Sequence, residues 1–402
     1  MRFAGLDVHK RVVQAVVLDE SGQVVHRERF GCSPELLVSF AEKRLSREDA
    51  VVLEATTNTW DIVRVLEPHV GRVVVSNPLR TRAIAEAKVK TDKIDARVLA
   101  ELLRVDFLPE VWRPDEKTRR LRQITSRRAS LVQQRTAVKN RLHSVLHERM
   151  LHVPGDQLFS LGGQEWLRAL ELDSLDRAFV DSELRLLEAL SREIDQLQGM
   201  LAQEGYADER VKLLLTIPGV DVGVAQALLA ALGDVKRFRS ADHAASYLGL
   251  VPSTRQSADR CYHGPITKRG RSQARWMLVQ AAQHVGSHPG PLGAFSRKLA
   301  HKKNRNVAVV ASARKILTIA WKMLVTNQPY RYALPATTER KLARLRITAT
   351  GEKRKGGRPR AHLARPPTER GSGREPPRVS TRSMPQRTSL RWGRCPPASD
   401  AC

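Results

Sequence analysis

The sequence predicts an α/β domain at the N-terminus, then a long helical hairpin or coiled coil, then a mainly helical domain and a disordered tail. Three observations carry this. Short apolar runs alternate with amphipathic stretches as far as about Leu108, and a heptad-like apolar spacing takes over between Lys117 and Met150. Beyond about Arg346 the chain is rich in Pro, Gly and Arg and poor in apolar residues. The boundaries fall at 1–110, 115–205, 206–327 and 347–402. A chain of 402 residues, 41% of them hydrophobic, is long enough for two or three separate cores.

In the first domain "RFAGLDV" and "VVQAVVLDESG" read as two strands with a turn at Ser21 and Gly22, and "SPELLVSFAEKRL" as a capped helix. A strand "AVVLEAT", a helix "NTWDIVRVLEPHV", a strand "GRVVVSNP" and a helical segment to about Arg104 follow. A strand meander followed by alternating helices and strands predicts a mixed sheet.

The heptad-like seam consists of Leu121, Ile124, Leu131, Val138, Leu142 and Val145, interrupted by Arg128 and Arg135. A second helix, Ser182 to about Gln203, carries Leu187, Leu190, Ile194, Leu197 and Leu201 at spacings of three and four. A coiled coil and an ordinary bundle fit this spacing equally. From Tyr206 to about Asn327 the chain reads as mainly helical. Its opening, "LLLTIPGVDVGVAQALLAAL", has two apolar helical runs broken by Pro218, Gly219 and Gly223. A phosphate-holding helix-hairpin-helix and a packed helical hairpin would both use these residues.

Lys plus Arg outnumber Asp plus Glu by 69 to 42, for a formal charge of +27. The last 52 residues hold 13 of the cations and 4 of the acids, so the preceding 350 residues still carry +18. The expected partner is a polyanion, with nucleic acid the best fit. The first long helix is the most basic element, with Lys117, Arg119, Arg120, Arg122, Arg127, Arg128, Arg135, Lys139 and Arg141. Acids at i+4 are nearly absent there, so these charges are not neutralised within the helix, which favours phosphate contact over a merely solvated face.

Cys32, Cys261, Cys395 and Cys402 show no CxxC spacing, so neither a zinc ribbon nor a disulfide framework is suggested. No run approaches 18 apolar residues, and "MRFAGLDVHK" lacks the apolar core of a signal peptide. The expectation is a soluble protein of the cytoplasm.

Two acids end apolar strands: Asp7 in "GLDVHK", with Leu6 and Val8 aimed at the other face, and Glu54 in "VVLEATTNTW". Asp92 and Asp95 stand at i and i+3 on one helical face. Each alone reads as a cap, turn or surface charge. Together, four carboxylates from separate elements suit one or two hard divalent cations, Mg²⁺ or Mn²⁺, for phosphodiester chemistry. Further on, a polar loop bracketed by Gly249 and Gly264 leads to a helix from about Ser272. It is flanked by Arg255, Arg260, Lys268, Arg269, Arg271 and Arg275, a setting for a phosphate; His263 is a candidate for contact, and Cys261 reads as an inert thiol.

The run "GLDVHK … LEATTNTW … NPLRTRAIAEAKVKTDKIDARVLAELL" resembles the RuvC-like Asp-Glu-Asp-Asp domain of the insertion-sequence-one-hundred-ten family of transposases, related to Piv-type DNA invertases. "YLGLVPSTRQSADRCYHGPITKRGRSQARWMLVQAA" is similar to that family's C-terminal transposase domain. The resemblance spans roughly Arg2 to Thr326. It implies a RuvC/RNase H-like N-terminal fold and a metal site of Asp7, Glu54, Asp92 and Asp95. It also implies a nucleophilic serine five residues after Pro252, which is Ser257, with Ser253 the nearest competitor. The chain departs from the family at Thr57 and Thr59, where glycine and an aromatic are usual, and at Ala258, where glycine is usual.

The implied activity is DNA cutting and rejoining through Ser257, assisted by the metal. The implied partners are DNA at the element ends and target, a structured guide RNA, and further copies of the chain, as dimers joined into a tetramer. Candidates for nucleic-acid contact are Arg119, Arg120, Arg127, Lys139, Arg255, Lys268, Arg269 and Arg275. The implied location is the bacterial nucleoid. Two other readings stay open: a RuvC-like nuclease using water instead of serine, and a non-enzymatic basic binding protein whose acids are structural.

Overall fold

The computed structural model describes residues 1–84, 92–153, 157–257 and 260–352. Five strands, β1 (Phe3–Val8), β2 (Val12–Leu18), β3 (Val24–Gly31), β4 (Ala50–Glu54) and β5 (Arg72–Ser76), form one sheet in the order β3-β2-β1-β4-β5. The meander β1-β2-β3 is antiparallel, while β4 and β5 add in parallel beside β1. The mixed sheet is the one predicted, with one strand more. The prediction passed over β3 because "VVHRERFG" sets Arg27, Glu28 and Arg29 in succession, on an edge strand exposed along one side.

Both faces of the sheet centre are covered, which is why its strands read as near-continuous apolar runs. On one face, α1 (Pro34–Arg44) and α2 (Thr59–Leu66) bring Leu37, Phe40, Ile62, Val63 and Leu66 against Ala4, Leu6, Val51 and Leu53. Ser33 starts α1 by accepting the Leu36 N–H, with Pro34 at the first helical position. The other face receives α4 (Asp92–Arg104), which follows α3 (Pro78–Ile84). Leu99 and Leu103 of α4 pack on Ala50, Val52 and Val74, and Ala96 and Ala100 on Val16 and Leu18. Residues 85–91 of the predicted helical segment lie outside the described residues.

The two long helices are α5 (Glu116–Glu148) and α7 (Ser174–Tyr206), with α6 (Leu161–Ala169) between them. They run antiparallel: Arg120 near the start of α5 pairs with Glu204 near the end of α7, and Arg149 just past α5 pairs with Asp176 at the start of α7. The seam is as predicted through Leu142, after which Leu146 is the fully buried residue and Val145 only flanks the core. The interrupting Arg128 turns toward α7 and donates to Gln198 Oε1 at 3.3 Å. The charges on α5 are neutralised in part, by acids of α7 and just beyond it: Lys117 meets Asp208 at 3.2 Å, Arg120 meets Glu204 at 2.7 Å and Arg141 meets Glu183 at 2.5 Å.

The C-terminal part comprises α8 (Glu209–Leu215), α9 (Val222–Leu232), α10 (Ala241–Tyr247), the hairpin β6 (Pro252–Ser257) and β7 (Arg260–Ile266), α11 (Ser272–Gln283), α12 (Pro291–Lys302), α13 (Arg305–Thr326) and α14 (Pro335–Thr350). Its core forms around α9, whose residues from Val224 to Leu232 are all buried. Gly223 lies in the first turn of α9 and breaks nothing, whereas Gly219 occupies the turn with a φ of 77°. The supposed loop after Gly249 is the hairpin β6-β7. Helix α14 runs to Thr350, four residues into the stretch read as tail, and Gly351 ends it in the left-handed conformation. The rest of the predicted tail, 353–402, lies outside the described residues. No helix among the described residues is long and apolar enough to cross a membrane.

Candidate active site

In β1 the alternation puts Ala4 and Leu6 in the core under α1 and α2, and therefore Phe3, Gly5 and Asp7 on the face toward α4. In β4, Val51 and Leu53 take the first core, leaving Ala50, Val52 and Glu54 toward α4. The strands pair in parallel with Leu6 opposite Leu53, so Asp7 and Glu54 come next at the same level of the sheet, on strands about 5 Å apart. On α4 the stripe that docks the helix, Ala96, Leu99, Ala100 and Leu103, continues upward through Asp92 and Asp95. The helix that covers the sheet thereby carries its two acids to the strand ends.

Asp7, Glu54 and Asp95 line one small cavity of about 70 Å³, together with Thr81, Arg82, Val98 and Leu99. Asp92 joins through His9, whose Nε2 lies 3.2 Å from Asp7 Oδ2 and 3.4 Å from Asp92 Oδ1. Asp7, His9 and Asp92 each offer a ligand atom, all within 4.8 Å of one another. Burial pushes the Asp7 carboxyl above its ordinary range; His9 opposes this, while the charges of Asp92 and Asp95 add to it. A cation placed here would relieve that repulsion.

The surrounding loops are tied down. The buried hydroxyls of Ser76 and Thr81 hydrogen-bond each other, fixing α3 at the end of β5 and setting Thr81 and Arg82 at the cavity. After Glu54, the Thr59 hydroxyl accepts the Thr56 N–H at 2.6 Å and donates to the Thr56 carbonyl at 2.8 Å. Thr59, one of the departures from the family pattern, is thus a buried closure of the loop. Sequence reasoning missed His9. Its signal was available, since a residue two beyond Asp7 shares its side of an extended chain.

Ser257 ends β6 opposite Arg260 and is exposed at the hairpin tip. Ala258 lies outside the described residues. Ser253 is engaged elsewhere, donating to the Pro265 carbonyl at 3.1 Å. His263 faces Thr254, its Nδ1 3.0 Å from the hydroxyl, and the exposed Cys261 thiol lies 3.8 Å from its Nε2. The cavity between the acids is lined entirely from the N-terminal domain.

The cations proposed for phosphate contact divide into two groups. Arg120 is held by Glu204, Arg275 donates to the carbonyls of Leu248 and Arg269, and Lys139 lies over the Phe159 ring at 4.6 Å. Burial, and then Arg135, pushes the Lys139 ammonium below its usual value. Arg127, Arg255, Lys268 and Arg269 are exposed and have no ion pair among the described residues, and Arg119 is half-buried with an unpartnered Nε. The start of α9, where a phosphate was one reading, is capped by Asp221, which accepts the Val224 N–H at 2.8 Å and sets a negative charge there.

Comparison with known proteins places these features. A DEDD-type transposase model of the IS110 class matches residues 4–150, and a model described as the transposase IS116/IS110/IS902 family matches residues 211–296. The first stretch holds all four acids and the second holds Ser257. Together the matches cover more than half of the chain, which belongs to the IS110 family of transposases. The chain is 27% identical over 289 residues to the pilin gene-inverting protein of Moraxella bovis, covering 70% of this chain and 81% of that one. It is 24% identical over 353 residues to the transposase for insertion sequence element IS1111A of Coxiella burnetii, covering 82% and 92%. It is also 27% identical over 352 residues to a probable family 20 transposase of Pseudomonas aeruginosa, covering 81% and 98%. It is accordingly an enzyme, a DNA-recombining transposase of an insertion sequence, and the reading as a non-enzymatic binding protein falls.

Proposed function

We propose that this transposase cuts and rejoins DNA strands with Ser257 as nucleophile and the acids Asp7, Glu54, Asp92 and Asp95 as the ligands of Mg²⁺ or Mn²⁺. The observation that carries the reading is the convergence of Asp7, Glu54 and Asp95 on one cavity, with Asp92 joined through His9. The donor set fits: carboxylate oxygens suit a hard divalent cation, and the Asp7 carboxyl, raised first by burial and then by the charges of Asp92 and Asp95, would be relieved by one. When bound, the cation would polarise a scissile phosphate and stabilise the charge developing on it. The sheet order β3-β2-β1-β4-β5, with acids on the adjacent strands β1 and β4 and on α4, supports a RuvC/RNase H-like fold.

In the step itself the Ser257 Oγ gives up its proton and bonds to phosphorus, and one deoxyribose oxygen leaves and takes a proton. The reverse attack by a free hydroxyl on the phosphoserine rejoins a strand. Ser257 is the better candidate because Ser253 already donates within the hairpin. Since the acid cavity and the hairpin are lined separately, the serine and the metal site would act as a composite centre, formed on assembly of dimers into a tetramer on the DNA. The basic surfaces left free, Arg127, Arg255, Lys268 and Arg269, would serve DNA and a structured guide RNA, placing the enzyme on the nucleoid.

The separate lining also favours one second reading, hydrolysis by a metal-bound water with the serine uninvolved. The test is a supercoiled plasmid carrying the element ends, incubated with Mg²⁺ and resolved under denaturing conditions. Ser257→Ala should abolish covalent protein–DNA adducts, and Asp7→Asn should abolish Mg²⁺-dependent cutting. Adducts that survive in Ser257→Ala and vanish in Ser253→Ala would reassign the nucleophile; cutting without adducts in the unaltered enzyme would establish the hydrolytic reading.

A further inference from the structure

Beside the acid cavity lies a second feature that this chemistry does not use. An open trough of about 680 Å³ runs between α2, the first turns of α5, the end of α7 and the start of α11. One rim is Thr57 and Trp60. Thr57 follows Glu54 by three residues, so the trough begins within about 11 Å of Glu54. Five arginines line it, Arg64, Arg119, Arg120, Arg122 and Arg271, against the acids Asp61 and Glu116.

The arginines are not equally committed. Arg64 pairs with Asp61 at 2.9 Å and Arg120 with Glu204 at 2.7 Å. Arg122 spends its hydrogen bonds on the uncharged carbonyls of Ala230, at 2.7 Å, and Ala231, at 3.4 Å. Arg119 has a buried Nε with no partner, and neither Arg119 nor Arg271 has an ion pair among the described residues. Burial, and then the charge of Arg271, pushes Arg122 down to about 10. Three guanidiniums therefore share a part-buried space with no carboxylate bonded to any of them among the described residues, a state that an anion from outside would relieve.

We propose that this trough holds a single strand of the DNA being processed, with Arg119, Arg122 and Arg271 on its phosphates and a base stacked on Trp60. The size suits a short run of nucleotides, and basic side chains beside the part-exposed ring of Trp60 form the usual platform for an unpaired strand. The rim next to Glu54 gives the strand a direction, leading away from the acids. The assignment rests on the proposed reading of those acids as the site of strand cutting, and it deepens that reading by naming the path of the cut strand.

The test is binding of a fluorescent oligothymidylate to the full chain in EDTA, so that no cutting intervenes, across a salt series, with duplex DNA and oligouridylate of equal length alongside. Trp60→Ala should weaken oligothymidylate binding about five-fold or more. Arg119→Ala and Arg271→Gln should each lower the salt slope by about 0.7. Arg64→Glu, at a solvent-exposed side chain where misfolding is not a concern, should weaken binding as well. Unchanged affinity and slope in all four variants would overturn the proposal, and so would a loss confined to oligouridylate, which would make the occupant RNA. Asp7→Asn should bind the strand normally in the same assay. The trough and the cutting site can thus fail independently.

Discussion

Gly5 tests how the acid cluster is assembled. It sits in β1 on the face toward α4, and a Cβ there would stand 2.0 Å from the Ala96 carbonyl oxygen and 2.7 Å from the Ala100 nitrogen. Side-chain carbons essentially never approach below 3.0 Å, so Gly5→Ala requires α4 to retreat by at least 1.0 Å, since backbone rather than a flexible side chain is in the way. That retreat opens the packing of Leu99 and Leu103 on Ala50, Val52 and Val74, at a cost of about 1–3 kcal/mol. It also carries Asp92 and Asp95 away from Asp7 and Glu54. A displacement of 1 Å at a reacting centre costs about 100-fold in rate. Urea unfolding followed by circular dichroism, with Mg²⁺-dependent plasmid cutting, reads both effects. Gly199→Ala in α7 is the control: nothing lies within 4 Å of the added carbon, and removing a helical glycine should stabilise by about 0.5–1 kcal/mol. A Gly5→Ala protein as stable and as active as the parent would refute the claim that this contact positions the acids.

Two further outcomes follow from titrating groups. Burial raises the Asp208 carboxyl, but Arg210 and Lys117 outweigh it and hold it at about 2; a depressed acid stabilises the fold above its unfolded value, and that stability is lost as pH falls from about 4 toward 2. Asp208→Asn should remove about 1 kcal/mol at neutral pH, allowing for solvent screening, and flatten the stability profile in that acid window, read by urea midpoints at successive pH values. Lys341 of α14 donates to the carbonyls of Leu215 at 2.8 Å and Ile217 at 2.7 Å, and burial pushes its ammonium down to about 8. Between pH 8 and about 10.4 the unfolded chain binds the extra proton, so stability should rise with pH over that window, and Lys341→Met should abolish the rise.

The acids were legible because each interrupts an apolar periodicity that the fold requires. Asp7 and Glu54 end runs that are buried on both faces, and Asp92 and Asp95 extend the stripe of α4, so burial of the run brings the acid with it. The hairpin β6-β7 was not legible. "PSTRQS" and "RCYHGPI" are exposed on both sides, and a strand with no buried face shows no alternation. The neutralisation of α5 escaped for a different reason: a search at i+4 sees one helix, whereas Glu183, Glu204 and Asp208 arrive from α7 and the residues after it. The trough belongs to this last kind. Trp60, Arg119 and Arg271 come from separate parts of the chain with no spacing in common, so each reads alone as an ordinary residue, and only their convergence on one trough turns them into one anion-seeking surface.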